Sequence, residues 1–248
     1  MIPVQALGEL MLEAARLCRD SFAGALSYRK SDGSLCTTAD EVVEHHLLEG
    51  LKTLLPGAGI CSEESGLFAG EEDLWIYVDP IDGTESYFAG LPTYAVCLAV
   101  FQGEECLYSR VELPAIHGFL EFSVENGLVI QAPTPIRARE TGLILVPADF
   151  QKRILAPQGF KVRGLGSIAF HLTLLVRGLS SGVLIDSAKI WDVAALLPML
   201  KDAGIQMHTI HDGVLQPDLE SLHNRLQDLL FFAPGNGPLK FGDILDQI

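Results

Sequence analysis

The chain has 248 residues, of which 48% are hydrophobic and 20% charged, and 17 Lys and Arg against 32 Asp and Glu give a formal charge of −15 at pH 7. This composition predicts one large globular unit, or two closely merged ones, with an ample core. The acidic balance argues against a nucleic-acid-binding surface, and no apolar run reaches the roughly 18–20 residues that a membrane span requires.

The cysteines and the N-terminus bear on the compartment. The five cysteines are scattered and form no C-x-x-C pair, which indicates reduced thiols in a cytoplasmic protein rather than a disulfide framework or a zinc site. The N-terminal stretch "MIPVQALGELMLEAARLCRD" lacks a basic segment and carries acidic residues early, so it is a poor signal peptide. Its apolar residues recur at helical spacing, which predicts an amphipathic helix with this buried face: Leu7, Leu10, Met11, Ala14 and Leu17.

The first half of the chain continues with a helix, two strands and a hairpin. The stretch "TTADEVVEHHLLEGLKTLLPG" predicts a helix that opens on a capping box of Thr38 and Glu41 and stops at Pro56-Gly57. "WIYVD" and "TYAVCLAVF" (93–101) are rich in aromatic and β-branched residues, which predicts strands. Residues 118–131 predict a hairpin around an Asn-Gly turn.

The second half alternates strand and helix. We expect a strand near 142–146, a helix over 166–178 capped by Ser167, a strand over 181–186 and a helix over 190–204 that Pro198 kinks. The composition changes at "QAPTP" (131–135), which predicts two halves. Residues 1–135 would carry most of the candidate ligands and residues 136–248 would supply Asp192 and substrate contacts. The predicted class is a layered α+β fold.

Two carboxylates stand at the point where an apolar strand ends, in "WIYVDPIDGT" (75–84). Asp79 and Asp82 flank Pro80 and Ile81, and Pro80 and Gly83 give the backbone there a stiff and special geometry. With the Ile81 carbonyl between them, the two carboxylates make a candidate site for a hard cation such as Mg²⁺, which prefers oxygen ligands. The alternative is an Asp-rich turn that caps a following helix.

More acidic residues lie elsewhere, and each has a simpler explanation when it is taken alone. Glu63 and Glu64 could be a solvated surface pair, whereas Asp40 and Asp192 could be acids in the first turn of a helix. Together with "DPIDGT" they favour a divalent-metal site, because clustered carboxylates are tolerated inside a protein only when a cation offsets them. Gly83-Thr84 then opens a short predicted helix, whose free N–H groups would attract a phosphate.

These motifs resemble those of the magnesium-dependent, lithium-sensitive inositol monophosphatase superfamily. The resemblance rests on "DPIDGT", preceded by "EES" and Trp75, and on "WDVAALLPMLKDAG" far downstream, and it extends over nearly the whole chain. That superfamily includes inositol monophosphatases, fructose-1,6-bisphosphatases of related fold, nucleotide 3′-phosphatases and histidinol-phosphatases. The resemblance implies an alternating α/β/α/β/α sandwich, two or three Mg²⁺ ions and a homodimer.

The resemblance also implies the metal ligands. Glu63, Asp79 and the Ile81 carbonyl would hold one Mg²⁺, and Asp79, Asp82 and Asp192 would hold a second. Glu63 is counted among the catalytic residues as well, because the first of these ions is expected to bind the attacking water. Four carboxylates around two dications would leave a nearly neutral centre that accepts a phosphate dianion.

The remaining implied roles concern water, phosphate and substrate. Asp40 and Thr84 would orient the attacking water, and the amides of Gly83 and Thr84 would contact the phosphate. The segment "RGLGSIAFHL" matches a family segment, so that Gly166 and Ser167 would lie near the substrate hydroxyl groups. One metal ion would activate the water while the other stabilises the leaving oxygen.

Several residues depart from the family pattern and bear on the substrate. Ser86 stands where relatives often have Asn, Tyr87 where Phe is usual, and Ile168 where a small residue is common. The chain lacks an acid at the spacing that inositol phosphatases use for a ring hydroxyl; Asp186 would take that role, unless it is simply an acid at the end of a strand. Lys189 could face the substrate or the solvent.

The leading hypothesis is hydrolysis of a small polyol or sugar-like phosphate monoester. Within the same class, the alternatives are a nucleotide 3′-phosphatase acting on adenosine 3′,5′-bisphosphate, a histidinol-phosphatase and a fructose-1,6-bisphosphatase. From another class, the chain could be a catalytically idle protein that binds metal and a protein partner. We expect a small phosphorylated metabolite as the ligand, and neither a nucleic acid polymer nor a membrane.

Overall fold

Seven α-helices and fifteen strands are formed by the residues that the computed structural model describes. These residues are 2–71, 73–116, 122–125, 128–131, 142–147, 150, 156–209, 213–224, 226–235 and 237. The helices are α1 (Val4–Ser21), α2 (Thr38–Leu54), α3 (Thr84–Phe88), α4 (Ile168–Val176), α5 (Ile190–Val193), α6 (Leu197–Asp202) and α7 (Leu219–His223).

The strands of the first half are β1 (Ser27–Arg29), β2 (Leu35–Thr37), β3 (Gly59–Ser62), β4 (Gly66–Phe68), β5 (Leu74–Asp82), β6 (Ala95–Gln102), β7 (Glu105–Glu112), β8 (Phe122–Glu125) and β9 (Leu128–Gln131). Those of the second half are β10 (Leu143–Leu145), β11 (Lys161–Arg163), β12 (Gly182–Asp186), β13 (Ile205–Thr209), β14 (Gly213–Leu215) and β15 (Leu229–Pro234). Short 3₁₀ helices cover Phe22–Gly24 and Ala194–Leu196.

The described strands form two large sheets and one small hairpin. The first sheet has the order β4-β3-β5-β6-β7-β8-β9, and the second has the order β11-β10-β12-β15-β13-β14. Strands β1 and β2 pair only with each other and are antiparallel. Strand β3 runs parallel to β5, and β5 runs antiparallel to β6.

The layers alternate because the first sheet buries both of its faces. One face packs on α1 and α2 through a core that includes Leu7, Leu47, Ile76 and Leu98. The other face shares a larger core with α4, α5, α6 and the second sheet. A smaller cluster around Phe150 and Phe231 lies on the other side of the second sheet. The predicted layered α+β fold is confirmed.

Strand β6 shows this two-sided burial most clearly. Val96, Leu98 and Val100 point into the core with α1 and α2. The alternate residues Cys97 and Ala99 point into the core with α4 and α5. Since side chains alternate across a strand, a continuous run of apolar residues suits a strand covered on both faces.

Most predicted elements are present, with shifted ends. The amphipathic helix is α1; four of the five predicted apolar residues are buried, and Leu17 is half-buried. The hairpin predicted over 118–131 contains β8 and β9, which pair antiparallel, although its Asn-Gly turn lies outside the described residues. The seam expected near 131–135 also falls largely outside them, so the division into halves at residue 135 stays a prediction.

The predicted capping box of Thr38 and Glu41 is wrong by one residue. The N-cap of α2 is Thr37, whose side chain accepts hydrogen bonds from the N–H groups of Ala39 and Asp40, while Asp40 bonds back to Thr37. Thr38 instead accepts a hydrogen bond from the Leu26 N–H, and the Glu41 carboxylate accepts one from the Tyr28 hydroxyl. The contacts with the preceding β1 segment thus use the two side chains that were expected to cap the helix.

The helix predicted over 190–204 is broken into three pieces. Helix α5 ends at Val193, a 3₁₀ turn follows, and α6 begins at Leu197 with Pro198 in its first turn. Proline lacks an N–H, so it suits a helix start and not a helix interior. Pro198 therefore begins a new helix where a kink was expected.

In the described part of the chain, no helix is both long and apolar enough to cross a bilayer.

We expect Leu98→Ala to lower the free energy of unfolding by about 2–5 kcal/mol, because it leaves a cavity in a fully buried strand. The matched control is Leu67→Ala on β4, where the side chain is 68% exposed; its cost should stay within about 0.5 kcal/mol. Urea unfolding followed by circular dichroism measures both. Equal losses for the two variants would contradict the assignment of β6 to the centre of the fold.

Candidate metal centre and active site

Three aspartates from two distant parts of the chain come close together. Asp79 and Asp82 lie at the end of β5, and Asp192 lies in α5. One carboxylate oxygen from each lies within 4.8 Å of the others. Asp79 and Asp82 are buried and Asp192 is half-buried. The sequence prediction that these three residues converge is therefore confirmed in geometry, although their role as ligands stays a prediction.

The backbone of β5 turns both of its aspartates toward the same place. The register with β6 shifts between Asp79 and Asp82, which marks a bulge at Pro80-Ile81. A bulge re-aims side chains at the end of a strand. The Ile81 carbonyl accepts a hydrogen bond of 3.1 Å from the Thr84 hydroxyl, while the Ile81 side chain is fully buried in the first core.

Burial is the largest factor that raises the pKa values of all three carboxyl groups. For Asp79, the neighbouring charges of Glu63, Asp82 and Asp192 add to burial, and its pKa is well above the usual range. Burial raises the pKa of Asp82 to about 6 against hydrogen bonds from Ser167 and the start of α4 that lower it. The pKa of Asp192 is also well raised, by burial and then by Asp82.

A second acidic group, Asp40, is held by the cap of α2. Its Oδ2 accepts hydrogen bonds from the Thr37 N–H at 2.9 Å and from the Thr37 hydroxyl at 2.5 Å. Its Oδ1 accepts one of 3.1 Å from the Thr84 hydroxyl, which joins α2 to α3. Burial raises the pKa of Asp40, and the bonds from Thr37 oppose that rise. Asp40 and Thr84, which the sequence assigned to one task, are therefore in direct contact.

The predicted glutamates lie in the turn between β3 and β4, and a lysine bridges them. Lys30 Nζ lies 2.9 Å from Glu63 Oε1 and 2.7 Å from Glu64 Oε1. Burial lowers the pKa of Lys30, but the hydrogen bonds and charges of the two glutamates outweigh it, so the pKa is raised overall. Lys30 carries no sequence signal, because it lies between two three-residue strands that are too short to give a periodic pattern.

Glu44 is a buried acid that the sequence analysis did not single out. It is only 4% exposed, and it accepts hydrogen bonds from the N–H groups of Glu64 at 3.0 Å and Ser65 at 3.1 Å. The hydroxyl groups of Ser62 and Ser65 also donate to it. The one available signal was its spacing of four residues from Asp40, which places both acids on one face of α2.

The Asp82 carboxylate also caps α4. It accepts hydrogen bonds from the Ser167 hydroxyl at 2.5 Å and from the Ala169 N–H at 2.6 Å, and a longer one of 3.3 Å from the Ile168 N–H. The Ser167 hydroxyl also accepts from the Phe170 N–H at 3.0 Å. Ser167 was predicted to contact substrate, and its hydroxyl is used within the protein to hold Asp82 and to cap the helix.

Gly83 and Gly166 occupy positions at which the Cβ of any other residue would clash with a neighbouring loop. Gly83 has a φ of 90°, and a Cβ there would lie 2.8 Å from the Ser167 Cβ. Gly166 has a φ of 86°, and a Cβ there would lie 2.1 Å from the Ser86 Oγ. The loop after β5 and the loop before α4 are therefore interlocked, and substitution at either glycine would push them apart.

Hydrogen bonds to one backbone carbonyl strengthen this contact. The Ser86 and Thr93 hydroxyls both donate to the Leu165 carbonyl, at 3.0 and 2.6 Å. The Leu165 N–H donates to His171 Nε2 at 3.0 Å. Burial lowers the pKa of His171 to about 4, which keeps the ring neutral and its Nε2 free to accept. Ser86 thus has a structural use in the place where relatives often have Asn.

An open cavity of about 670 Å³ leads to the metal-ligand candidates. Glu63, Asp82, Gly83, Thr84 and Ser167 are among the residues that line it, together with residues from the loops of both large sheets. The wall residues are Ser34, Leu35, Glu85, Ser86, Leu91, Pro92, Thr93, Pro147, Gly164, Leu165, Gly166, Ile168, His171, Leu184 and Asp186. The predicted substrate residues Gly166 and Asp186 therefore lie on the cavity wall.

The donor set fits a hard divalent cation. All of the converging groups offer oxygen, which Mg²⁺ prefers. Asp79 Oδ1 is buried and has no hydrogen-bond partner among the described residues. A buried polar atom without a partner costs free energy, and a cation would satisfy this oxygen and offset the mutual repulsion.

Comparison with known proteins agrees with this geometry. The family model described as "Inositol monophosphatase family" matches residues 3–229. A fructose-1,6-bisphosphatase of Pyrococcus furiosus is 29% identical over 73% of this chain and 72% of its own length. A histidinol-phosphatase of Chlorobaculum parvum is 27% identical over 92% of this chain and 95% of its own length.

Solved structures share the fold. An inositol monophosphatase of Thermotoga maritima superposes with a TM-score of 0.75 at 20% identity, covering 92% of this chain and 90% of the other. An extragenic suppressor protein of Bartonella henselae gives a TM-score of 0.76 at 19% identity, with 93% of each chain covered. At these identities the likeness establishes the fold.

We expect the carboxylate cluster of the metal-free protein to contribute less to stability as the pH rises from about 4 through about 6, while the neutral His171 ring contributes in the opposite direction. Because the folded-state pKa values of Asp79, Asp82 and Asp192 are raised, the cluster binds more protons in the native state than in the unfolded state in this range. The contribution of Asp82 is present below its unfolded pKa of 3.8 and is lost as the pH passes about 6. Melting temperatures measured in EDTA across this range test the expectation.

Asp192→Asn should flatten this pH profile, because the amide keeps an acceptor for the Lys189 N–H but cannot ionise. Asp202→Asn on the exposed surface is the matched control and should leave the profile unchanged. A melting-temperature difference between Asp192→Asn and the wild type that does not change with pH in EDTA would contradict the electrostatic description of the cluster.

Proposed function

This chain belongs to the inositol monophosphatase family, and we propose that it hydrolyses a small phosphate monoester of the polyol or sugar-phosphate class with the help of Mg²⁺. The family and the named relatives indicate a phosphatase. The observation that carries the proposal is the meeting of Asp79, Asp82 and Asp192 beside the hydrogen-bonded pair of Asp40 and Thr84. Asp82 and Thr84, one residue from each group, line the cavity, so the carboxylate charge and a proton acceptor lie next to the space in which a substrate would bind.

The metal ligands would be those that the sequence indicated. Glu63, Asp79 and the Ile81 carbonyl would hold one ion, and Asp79, Asp82 and Asp192 a second. Bound Mg²⁺ would supply the positive charge that balances the phosphoryl oxygens and would acidify a water molecule. The rest of the chemistry depends on groups of the chain itself, which orient the water and the ester.

Thr84 and Asp40 would orient the attacking water. The Thr84 hydroxyl has two acceptors at 3.1 Å, Asp40 Oδ1 and the Ile81 carbonyl. A hydroxyl that donates its proton to Asp40 offers its own oxygen lone pairs to a water proton. Since Thr37 fixes the Asp40 carboxylate with two further hydrogen bonds, this relay has one orientation. We propose that it aims a water lone pair at the phosphorus.

The phosphate and the alcohol would be positioned by the interlocked loops. The Gly83 and Thr84 amides would contact the phosphate, as the resemblance implies. Gly166 and Asp186 would face the alcohol part of the substrate from the cavity wall. A rigid contact between the two loops matters here, because a small displacement of the ester away from the water slows the reaction strongly.

The charge of the cavity favours a single phosphate. Glu85 and Asp186 contribute carboxylates to the wall, and His171 is neutral. Within the described residues, no Lys or Arg lines the cavity. A second phosphate, as in fructose 1,6-bisphosphate or adenosine 3′,5′-bisphosphate, would meet no cationic partner among these described lining residues. A polyol that donates hydroxyl hydrogen bonds fits these carboxylates better.

Histidinol phosphate is the second candidate, because its ammonium group would pair with the same two wall carboxylates. The histidinol-phosphatase relative matches nearly the full length of this chain. The cytoplasmic location, the homodimer and lithium sensitivity remain predictions from the sequence and its resemblance.

Phosphate release from a substrate panel tests the proposal. The panel contains inositol 1-phosphate, β-glycerophosphate, histidinol phosphate, fructose 1,6-bisphosphate and adenosine 3′,5′-bisphosphate, each with Mg²⁺ or with EDTA. We expect turnover that requires Mg²⁺ and kcat/KM values that are higher for the monophosphates. A folded protein that binds Mg²⁺ and hydrolyses none of them would instead be a metal-binding interaction protein.

The role of Thr84 can be tested with two matched variants. Thr84→Val keeps the shape but removes the hydroxyl, so we expect kcat to fall by roughly 100-fold or more, the scale of losing a positioned proton acceptor. Thr84→Ser keeps the hydroxyl and should retain most of the activity. Steady-state kinetics on the best substrate of the panel measures both. Similar losses in the two variants would mean that packing, and not the hydroxyl, is what matters.

A further inference from the structure

We propose that Glu44 is a positioning residue that fixes the Ser62–Ser65 turn, and through it the candidate ligand Glu63, against the helix that carries Asp40. This inference rests on the proposed function, because it concerns the affinity of the same site for Mg²⁺. The hydrogen bonds described for the Glu44 carboxylate go to Ser62, Glu64 and Ser65, and none goes to Asp79, Asp82 or Asp192.

Four hydrogen bonds converge on the Glu44 carboxyl group. Its Oε1 accepts from the N–H groups of Glu64 and Ser65 and from the Ser62 hydroxyl, and its Oε2 accepts from the Ser65 hydroxyl. The residues that donate are those that precede and follow Glu63. Removing this one acceptor would leave two backbone N–H groups of the turn to find water, in a place where Glu44 is 4% exposed.

The turn is held from its other side by the first sheet. Ser62 pairs with Val78 in the parallel β3–β5 ladder, and the Glu63 N–H donates to the Val78 carbonyl at 3.2 Å. The sheet therefore fixes the start of the turn, and Glu44 fixes the part that follows Glu63. With both supports, the Glu63 side chain leaves the backbone at a defined point next to Asp79.

One helix thereby aligns two parts of the site. Asp40 and Glu44 are separated by four residues, so they lie one above the other on the same face of α2. Asp40 contacts Thr84 at one level, and Glu44 contacts the turn of Glu63 at the next. The cap at Thr37 anchors this helix end. A rigid helix hence sets the distance between the water-orienting pair and the first metal position.

The test measures Mg²⁺ affinity directly, by isothermal titration calorimetry, beside the melting temperature in EDTA. We expect Glu44→Ala to weaken Mg²⁺ binding by about tenfold or more, the scale on which groups supporting a metal ligand act. Glu44→Gln keeps an oxygen acceptor for the turn and should bind Mg²⁺ within about threefold of the wild type. Ser65→Ala removes only the hydrogen bond to Oε2 and should lie between the two.

The matched control is Val43→Ala, on the same helix and fully buried in the first core. It should lower the melting temperature without changing the Mg²⁺ affinity, since its side chain is part of the first core and has no polar atom to hold the turn. This control separates a general loss of stability from a loss of positioning. If Glu44→Ala fails to fold, Ser65→Ala against Val43→Ala decides the question in the same way.

Two results would overturn the inference. One is a Glu44→Ala protein, or in its place Ser65→Ala, whose Mg²⁺ affinity matches that of Val43→Ala. The other is a Glu44→Gln protein as damaged as Glu44→Ala, which would show that hydrogen-bond acceptance is not the cause. A wild type that binds Mg²⁺ but hydrolyses no substrate would contradict the proposed function. The Mg²⁺ affinities of the variants would still test the role of Glu44.

Discussion

The repulsion among the buried carboxylates of Asp79, Asp82 and Asp192 is the constraint that the site is built to manage. The fold brings these groups together and removes water from them, so each ionised form is costly without a cation. Hydrogen bonds from α4 and from the Lys189 N–H relieve part of that cost for Asp82 and Asp192. Asp79 Oδ1 receives no hydrogen bond from the described residues. A cation bound at this oxygen would therefore relieve the part of the electrostatic cost that the protein itself does not offset.

Three different elements of the surrounding structure fix the carboxylates in place. The bulge of β5 aims Asp79 and Asp82, the short helix α5 presents Asp192, and the cap of α2 holds Asp40. None of these elements could hold the cluster alone. The two hydrophobic cores on either face of the first sheet keep them in register, so the free energy of packing offsets the electrostatic cost of the site.

The central carboxylates of the site could be predicted from the sequence better than the residues that position them. "DPIDGT" and "WD" combine a strong apolar pattern with carboxylates, and the family resemblance drawn from them is confirmed. Glu44 was not found, because a glutamate on a helix is typical of a solvated face and its partners lie about twenty residues away in a turn. Strands β1 to β4 have only three or four residues each, too few for a periodic signal. The break before Pro198 depended on tertiary packing.

The burial of strand β6 determines which amide protons of the molecule can exchange with solvent through local opening. It is covered on both faces and hydrogen-bonded on both edges, so its amide protons can exchange with solvent only when the whole domain unfolds. Its neighbour β5 carries the two central aspartates and shares that protection. The β1–β2 hairpin with Lys30 is different, since Ser27–Arg29 is exposed throughout and, among the described strands, forms a ladder only with β2. The base of the candidate site therefore opens only with global unfolding, whereas a local opening of the exposed β1 strand would release Lys30 from Glu63 and Glu64 while β5 stays folded.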